Sequence, residues 1–396
     1  MADIKRVAVL GGGPGGAFAA ERLARGGVDT VVFDEKLAWE KPCGGGLTYK
    51  AWHEYPFLIE NDTPKKLITQ TKIAAPRAGS VALHLREPLV IYSRFDLNRM
   101  LLKRAENAGA RVEQERVLGL ERREAGWNVQ TRAGAIAADY CVIATGARNP
   151  LRGVGTEWRP GDTATALGYY VQGQQEQIDI QFLPGLEGYI WVFPRCGHLS
   201  VGICGKNLPA QIMRRRLEKY MDEHALPYKG ATFFGHVLPS LGWHGWQRNR
   251  VAGDRWMAVG DAAGLVDPIT GEGLYYAMRS GDLASQTILN EGHAPEAKAQ
   301  AYRSMLHEDF VADLEFASLL AGRVYSGKFM FSTVPARMVQ FTRHSPRFCL
   351  LMQDLFAGTQ SYLGLKKRLL RGLRGTLTEV VMGFFLNRLI PGQDTA

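Results

Sequence analysis

The chain has 396 residues, 46% of them hydrophobic, which gives room for two domains or one composite one and argues against disorder. Its 48 Lys and Arg outnumber 39 Asp and Glu by nine, a moderate basic excess suited to an anionic lipid surface or a nucleic acid. No RNA- or DNA-binding motif supports the second, so no nucleic-acid partner is expected. The cysteines, Cys43, Cys141, Cys196, Cys204 and Cys349, are odd in number and form no CxxC, which argues for a reducing compartment over a disulfide framework. The histidines show no paired ligand spacing, so no metal is expected. The N-terminal apolar run is too short for a signal peptide, and no run approaches the roughly 18 apolar residues of a spanning helix. The protein is expected in the cytoplasm, soluble or peripheral on the inner membrane face.

Taken in order, KRVAVL (residues 5–10) reads as a buried parallel strand. GGAFAAERLARGG follows with helical composition and a glycine stop, and DTVVFDE is the next strand, so the chain opens on a βαβ unit. Between strand and helix, GGGPGG holds Gly11, Gly13 and Gly16 as GxGxxG, with Pro14 inside it. The first glycine allows the turn, the second lets backbone approach a pyrophosphate, and the third lets helix and strand pack closely. The helix N-terminus offers N–H groups to the anion, and Asp34, with Glu35 beside it, stands where a ribose needs an acceptor. This motif alone does not separate NAD from FAD. EKPCGGGLT (residues 40–48) then sets Cys43 before Gly44, Gly45 and Gly46. Either the thiol is a small buried apolar group beside a turn, or the glycines bring a flat ligand close to it.

Residues 97–108 put Leu97, Leu101, Leu102 and Ala105 on one helical face, and DYCVIATG reads as another buried strand. From about 165 to 205 the pattern changes to successive strands of an antiparallel sheet. In one of them, YIWVFP, Tyr189, Trp191 and Phe193 share a face. They suit a flavin ring or a long apolar chain, or else an ordinary sheet face packed on a helix. PAQIMRRRLEKYMDEHA is an amphipathic helix, RWMAVGDAAG returns to strand and glycine turn, and nearly everything after 273 reads as helix.

VGDAAGLVDPITGEGLYYAMRSG (residues 259–281) resembles the distal FAD motif of p-hydroxybenzoate hydroxylase-type flavoproteins. The resemblance implies that Gly260 and Asp261 meet the ribityl chain, and that Pro268, Gly271 and Gly273 bring backbone and a helix start toward the flavin ring. SRFDLNRML resembles a weaker motif of that group; it offers Arg94 to the FAD phosphates or leaves it a solvated surface residue. YIWVFP and KPCGGGLT resemble the geranylgeranyl reductase family within this superfamily, and with the FAD motifs the resemblance covers roughly residues 4–290. It implies Cys43 near the reacting face of the flavin, as proton donor, as electronic tuner or as a structural thiol, with Gly44 and Gly45 allowing the close approach.

The expected fold is an α/β (α+β composite) one. A Rossmann-like FAD-binding domain (residues 1–70, 90–155 and 250–292) is interleaved with an antiparallel-sheet substrate domain (71–89 and 156–249), and a helical region (293–396) closes the chain. In that last region Lys366, Lys367, Arg368, Arg371 and Arg374 alternate with leucines, a basic amphipathic helix that can lie on an anionic membrane or pack its leucines on the domain. The expected activity is reduction of isoprenoid C=C bonds by reduced FAD, on a prenyl lipid, prenyl diphosphate or quinone side chain. No second dinucleotide fingerprint is visible, which leaves NAD(P)H as a transient reductant or a donor protein. The alternatives are a flavin monooxygenase or halogenase on an aromatic substrate, and a membrane-associated electron-transfer flavoprotein.

Overall fold

The computed structural model describes residues 4–389, apart from 291 and 293. Its first sheet has six strands in the order Ala252–Gly253, Trp256–Ala258, Tyr140–Ile143, Arg6–Leu10, Asp29–Phe33, Arg111–Glu113. All pairings are parallel except the one made by the edge strand Ala252–Gly253. A parallel sheet is covered on both faces, which explains why Val7, Val9, Val31, Val32, Val142 and Ile143 read as unbroken apolar runs and are fully buried. The helix Pro14–Arg25 lies against the helix Leu274–Leu289, and the contact is close because both partners are glycine: a Cβ on Gly281 would meet the carbonyl oxygen of Gly15. The end of the distal glycine motif is thus packed on the end of the proximal one.

The second sheet has eight strands, in the order Thr232–Pro239, Thr163–Val171, Leu199–Lys206, Glu187–Pro194, Ile178–Phe182, Lys65–Ala75, Gly79–Tyr92, Gly46–Leu47. It is antiparallel except where Ile178–Phe182 runs parallel to Lys65–Ala75. The long hairpin Lys65–Tyr92 therefore belongs to this sheet, and so does Gly46–Leu47, directly after the cysteine–glycine turn. That last pairing fixes the turn at the seam between the two sheets. A separate three-stranded sheet covers Gly119–Ala138.

Beyond residue 294 the chain is helical, with one interruption: Lys328–Phe329 and Ser332–Thr333 pair as a two-residue-turn hairpin between the helices Ala312–Ser326 and Val334–His344. The helices Val334–His344 and Pro346–Ala357 pack on the Lys65–Tyr92 hairpin and share a core with it through Ala336, Val339 and Met352. The last helix, Tyr362–Leu389, exposes Lys366, Lys367 and Arg371. The Leu373 and Arg374 side chains lie outside the described residues. Among the described residues no helix is long and apolar enough to cross a membrane.

Candidate active site

The proximal glycine turn is built as an anion cradle. Gly11 sits at φ 117°, a conformation that favours glycine, and its N–H bonds the Phe33 carbonyl at 2.8 Å. A Cβ on Gly16 would collide with the Gly11 carbonyl oxygen, whereas a Cβ on Gly13 would meet open space. No side chain caps the helix that begins at Pro14, so its first N–H groups face that space. Asp34 accepts from Gly12 N–H at 2.6 Å and from Lys36 and Leu37 N–H at 2.8 Å, which holds its carboxylate beside the turn. Glu35 is exposed beside Arg116, 3.9 Å away.

Arg94 is 3% exposed, so the solvated alternative does not hold. One of its terminal nitrogens donates to Asn98 at 3.3 Å, while its Nε is buried without a partner. Asp261 pairs with Lys41 at 2.7 Å, across 220 residues of chain. Burial raises the Asp261 carboxyl, but Lys41, His236 and Arg94 together outweigh burial and hold it below the ordinary carboxylate range. His236 is pushed down to about 4, first by burial and then by Lys41, Arg148 and Arg94, and its Nε2 is also buried and unpartnered. Gly260, at φ 57°, is anchored by its N–H to the Ser280 hydroxyl at 3.0 Å. Uncapped helix start, open glycine, orphaned Arg94 Nε and clustered cations make a site suited to an anion, and they fit the pyrophosphate and ribityl portions of FAD.

Beyond the cradle lies a cavity of about 1520 Å³. Cys43, Gly44 and Gly45 line one end of it, together with Gly271 and Gly273 of the distal motif. Tyr189, Trp191 and Phe193, which alternate along one strand, line it, and so do residues of the C-terminal helices such as Met338, Phe348 and Leu365. Phe193 lies over the glycines, since a Cβ on Gly44 would come within 3.1 Å of its ring. Trp191 is held flat against Gly202, where any side chain would clash, and Tyr189 donates its hydroxyl to the Thr270 carbonyl. Gly271 sits at φ 73° beside that same hydroxyl. Pro268 is half-buried in the turn behind and does not line the cavity.

Several residues in this site had no signal in the sequence beyond their neighbours. Arg195 is fully buried; it pairs with Glu40 and donates to the Cys43 carbonyl, which also accepts the Ser200 hydroxyl at 3.1 Å. Glu40 in turn accepts the Arg94 N–H at 2.9 Å, so one carboxylate ties the cysteine turn to the arginine helix. The Cys43 Sγ accepts the Gly45 N–H at 3.3 Å and is thereby oriented. Glu272, between the two motif glycines, lines the cavity and is half-buried. Its Oε1 accepts the Tyr275 N–H at 3.0 Å, capping the helix, and burial, reinforced by nearby Asp267, pushes its carboxyl up to about 7. Asp267, buried and also raised by burial, accepts the Tyr362 hydroxyl at 2.8 Å and so joins the glycine turn to the last helix.

Comparison with known proteins agrees with this geometry. Residues 5–172 match the family described as pyridine nucleotide-disulphide oxidoreductase. The chain is 30% identical to the chloroplastic geranylgeranyl diphosphate reductase of Oryza sativa, over 72% of this chain and 66% of the relative. It is 28% identical to the menaquinone reductase of Mycobacterium tuberculosis, over 85% and 88% of the two chains. It thus spans about two thirds of the length of its plant relatives. A geranylgeranyl bacteriochlorophyll reductase-like protein of Thermoplasma acidophilum shares the fold with a TM-score of 0.75 at 23% identity, over 93% and 98% of the chains. A flavin-dependent brominase shares it with a TM-score of 0.66 at 16% identity, over 90% and 94%.

Proposed function

We propose that this chain, which belongs to the geranylgeranyl reductase family of FAD-dependent oxidoreductases, reduces C=C bonds in the isoprenoid chain of a prenyl lipid, a prenyl diphosphate or a quinone side chain. The cavity is the observation that carries the reading. Pockets for compact ligands hold about 300–1,000 Å³; this one holds about 1520 Å³, enough for a flavin ring at the motif glycines and a long chain beside the C-terminal helix residues that also line it. Its walls are mostly apolar, which suits a long hydrocarbon and not a small polar aromatic. Reduced FAD supplies the hydride.

The chain's own residues do the rest. The aromatic wall lays the alkene flat and keeps water from the reacting carbons. Arg195, Glu40 and Ser200 fix the Cys43 carbonyl, so the thiol is presented at a constant place. The second alkene carbon needs a proton, and two groups on the cavity wall are placed to deliver one: the Cys43 thiol and the Glu272 carboxyl, the latter pushed up to about 7 by burial. The reductant that recharges the cofactor is NAD(P)H bound transiently or a donor protein. A protein that only relays electrons would not need an apolar cavity of this size.

The test is anaerobic. The flavin is reduced with dithionite, geranylgeranyl diphosphate or extracted prenyl lipid is added, and flavin absorbance and lipid mass are followed. Reoxidation with gain of two hydrogens per bond supports the reading. Reoxidation only when air is admitted would move the assignment to the oxygen-using branch.

A further inference from the structure

We propose that the Lys328–Thr333 hairpin and the cavity rim beside it form a membrane-docking surface that seats the cavity mouth on an anionic bilayer. The proposal rests on the reading above, in which the substrate is a lipid. It begins from a local anomaly. Met330 and Phe331 are the turn of a two-residue hairpin, and both have positive φ, 49° and 63°. Such turns select Asn-Gly because bulky residues are disfavoured in that conformation. Phe331 is also 109% exposed, more than a Phe in an extended peptide, and Met330 and Phe329 are 46% and 43% exposed. Strain and exposure together cost stability in water and return nothing there. They return something if the tip is buried in another phase.

The rim continues the same surface. Phe329, Leu350, Leu369 and Leu370 are each at least 40% exposed and also line the cavity, so its mouth is ringed by apolar side chains. Exposed apolar groups at the mouth of an apolar cavity give a lipid tail a continuous path from bilayer to active site.

Charge selects the partner. Residues 316–372 contain nine Lys and Arg and one acid, Asp354. That acid is already paired with Arg86 and Arg368. Nine minus one leaves +8 in this 57-residue segment; its Arg323, Lys328, Arg337, Arg347 and Arg368 line the cavity, where Asp309 and Asp313 offset part of the charge and Arg347 is paired with Glu379. Of the nine, Arg323, Lys328, Arg343, Lys366 and Lys367 are exposed. A second copy of this chain would bring a like-charged face against it, so an anionic lipid surface is the occupant favoured over a dimer.

The experiment is co-sedimentation of FAD-loaded protein with vesicles of phosphatidylglycerol and phosphatidylcholine, against phosphatidylcholine alone. Met330→Ser/Phe331→Ser is the principal variant, because neither residue lines the cavity. Wild type should bind the anionic vesicles, less at high salt, and the double variant should partition about tenfold less or weaker still. Flavin content and turnover on dispersed geranylgeranyl diphosphate should be unchanged. Lys366→Glu/Lys367→Glu should lose binding to anionic vesicles specifically. Equal vesicle binding by wild type and the Ser variant, or no binding by either, overturns the proposal. So does a wild-type dimer that the Ser variant dissociates, which would assign the tip to a second copy. If no prenyl substrate reoxidises the flavin but vesicle binding still depends on the tip, the functional reading fails and the docking surface stands.

Discussion

Glu272→Gln isolates the cost of burying a carboxyl between two motif glycines. Burial lifts Glu272 from its ordinary 4.5 to about 7. Between those values the folded protein holds a proton that the unfolded chain has released, so folding binds protons and stability falls as pH rises. The loss is complete once pH passes about 7, and at 1.36 kcal/mol per decade of acidity it amounts to about 3 kcal/mol. Glutamine keeps a carbonyl to accept the Tyr275 N–H but carries no charge to desolvate. The variant should therefore match wild type near pH 4.5 and exceed it by up to about 3 kcal/mol at pH 8. Urea unfolding of the FAD-saturated proteins at pH 5 and pH 8 measures the difference. An equal gap at the two pH values would show that Glu272 is not strained by burial and would remove it as a proton store. If the gap opens with pH while prenyl reduction falls in the variant, the same carboxyl is both a stability liability and a working group.

Three further outcomes follow from contacts in the site. Gly16→Ala puts a methyl into the Gly11 carbonyl, a backbone group that cannot swing aside, so the purified protein should be colourless and melt several degrees lower, as read by flavin absorbance and thermal denaturation. Arg195→Met leaves Glu40 and the Cys43 carbonyl without their buried cation and should cost about 3–5 kcal/mol in urea unfolding, with part recovered by adding Glu40→Gln. Cys43→Ser should leave the flavin spectrum intact and slow anaerobic reoxidation by prenyl substrate; undiminished turnover would remove the thiol from the mechanism and leave Glu272 to deliver the proton.

What could be read from the sequence was what is local in the chain. Gly11, Gly13, Gly16 and Asp34 lie within 24 residues, and strand, turn, helix and acid each carry their own signal, so the cradle was legible before any packing was known. Tyr189, Trp191 and Phe193 were legible for the same reason, since alternation along a strand puts them on one face wherever the strand goes. The partners that make these residues work come from far away. Lys41 meets Asp261 across 220 residues and Arg195 meets Glu40 across 155, and nothing in either neighbourhood announces the pairing. Arg94 stood undecided between phosphate and solvent because burial is a property of the fold; buried with an unpartnered Nε, it suits an anionic group. The hairpin at Met330 and Phe331 breaks a run that otherwise reads as helix, and it was invisible because its residues contradict the turn chemistry that marks hairpins. That contradiction carries information. Local rules are expected to fail at functional sites, and here Met330 and Phe331 break them in the hairpin next to Lys328 and Phe329, which line the cavity.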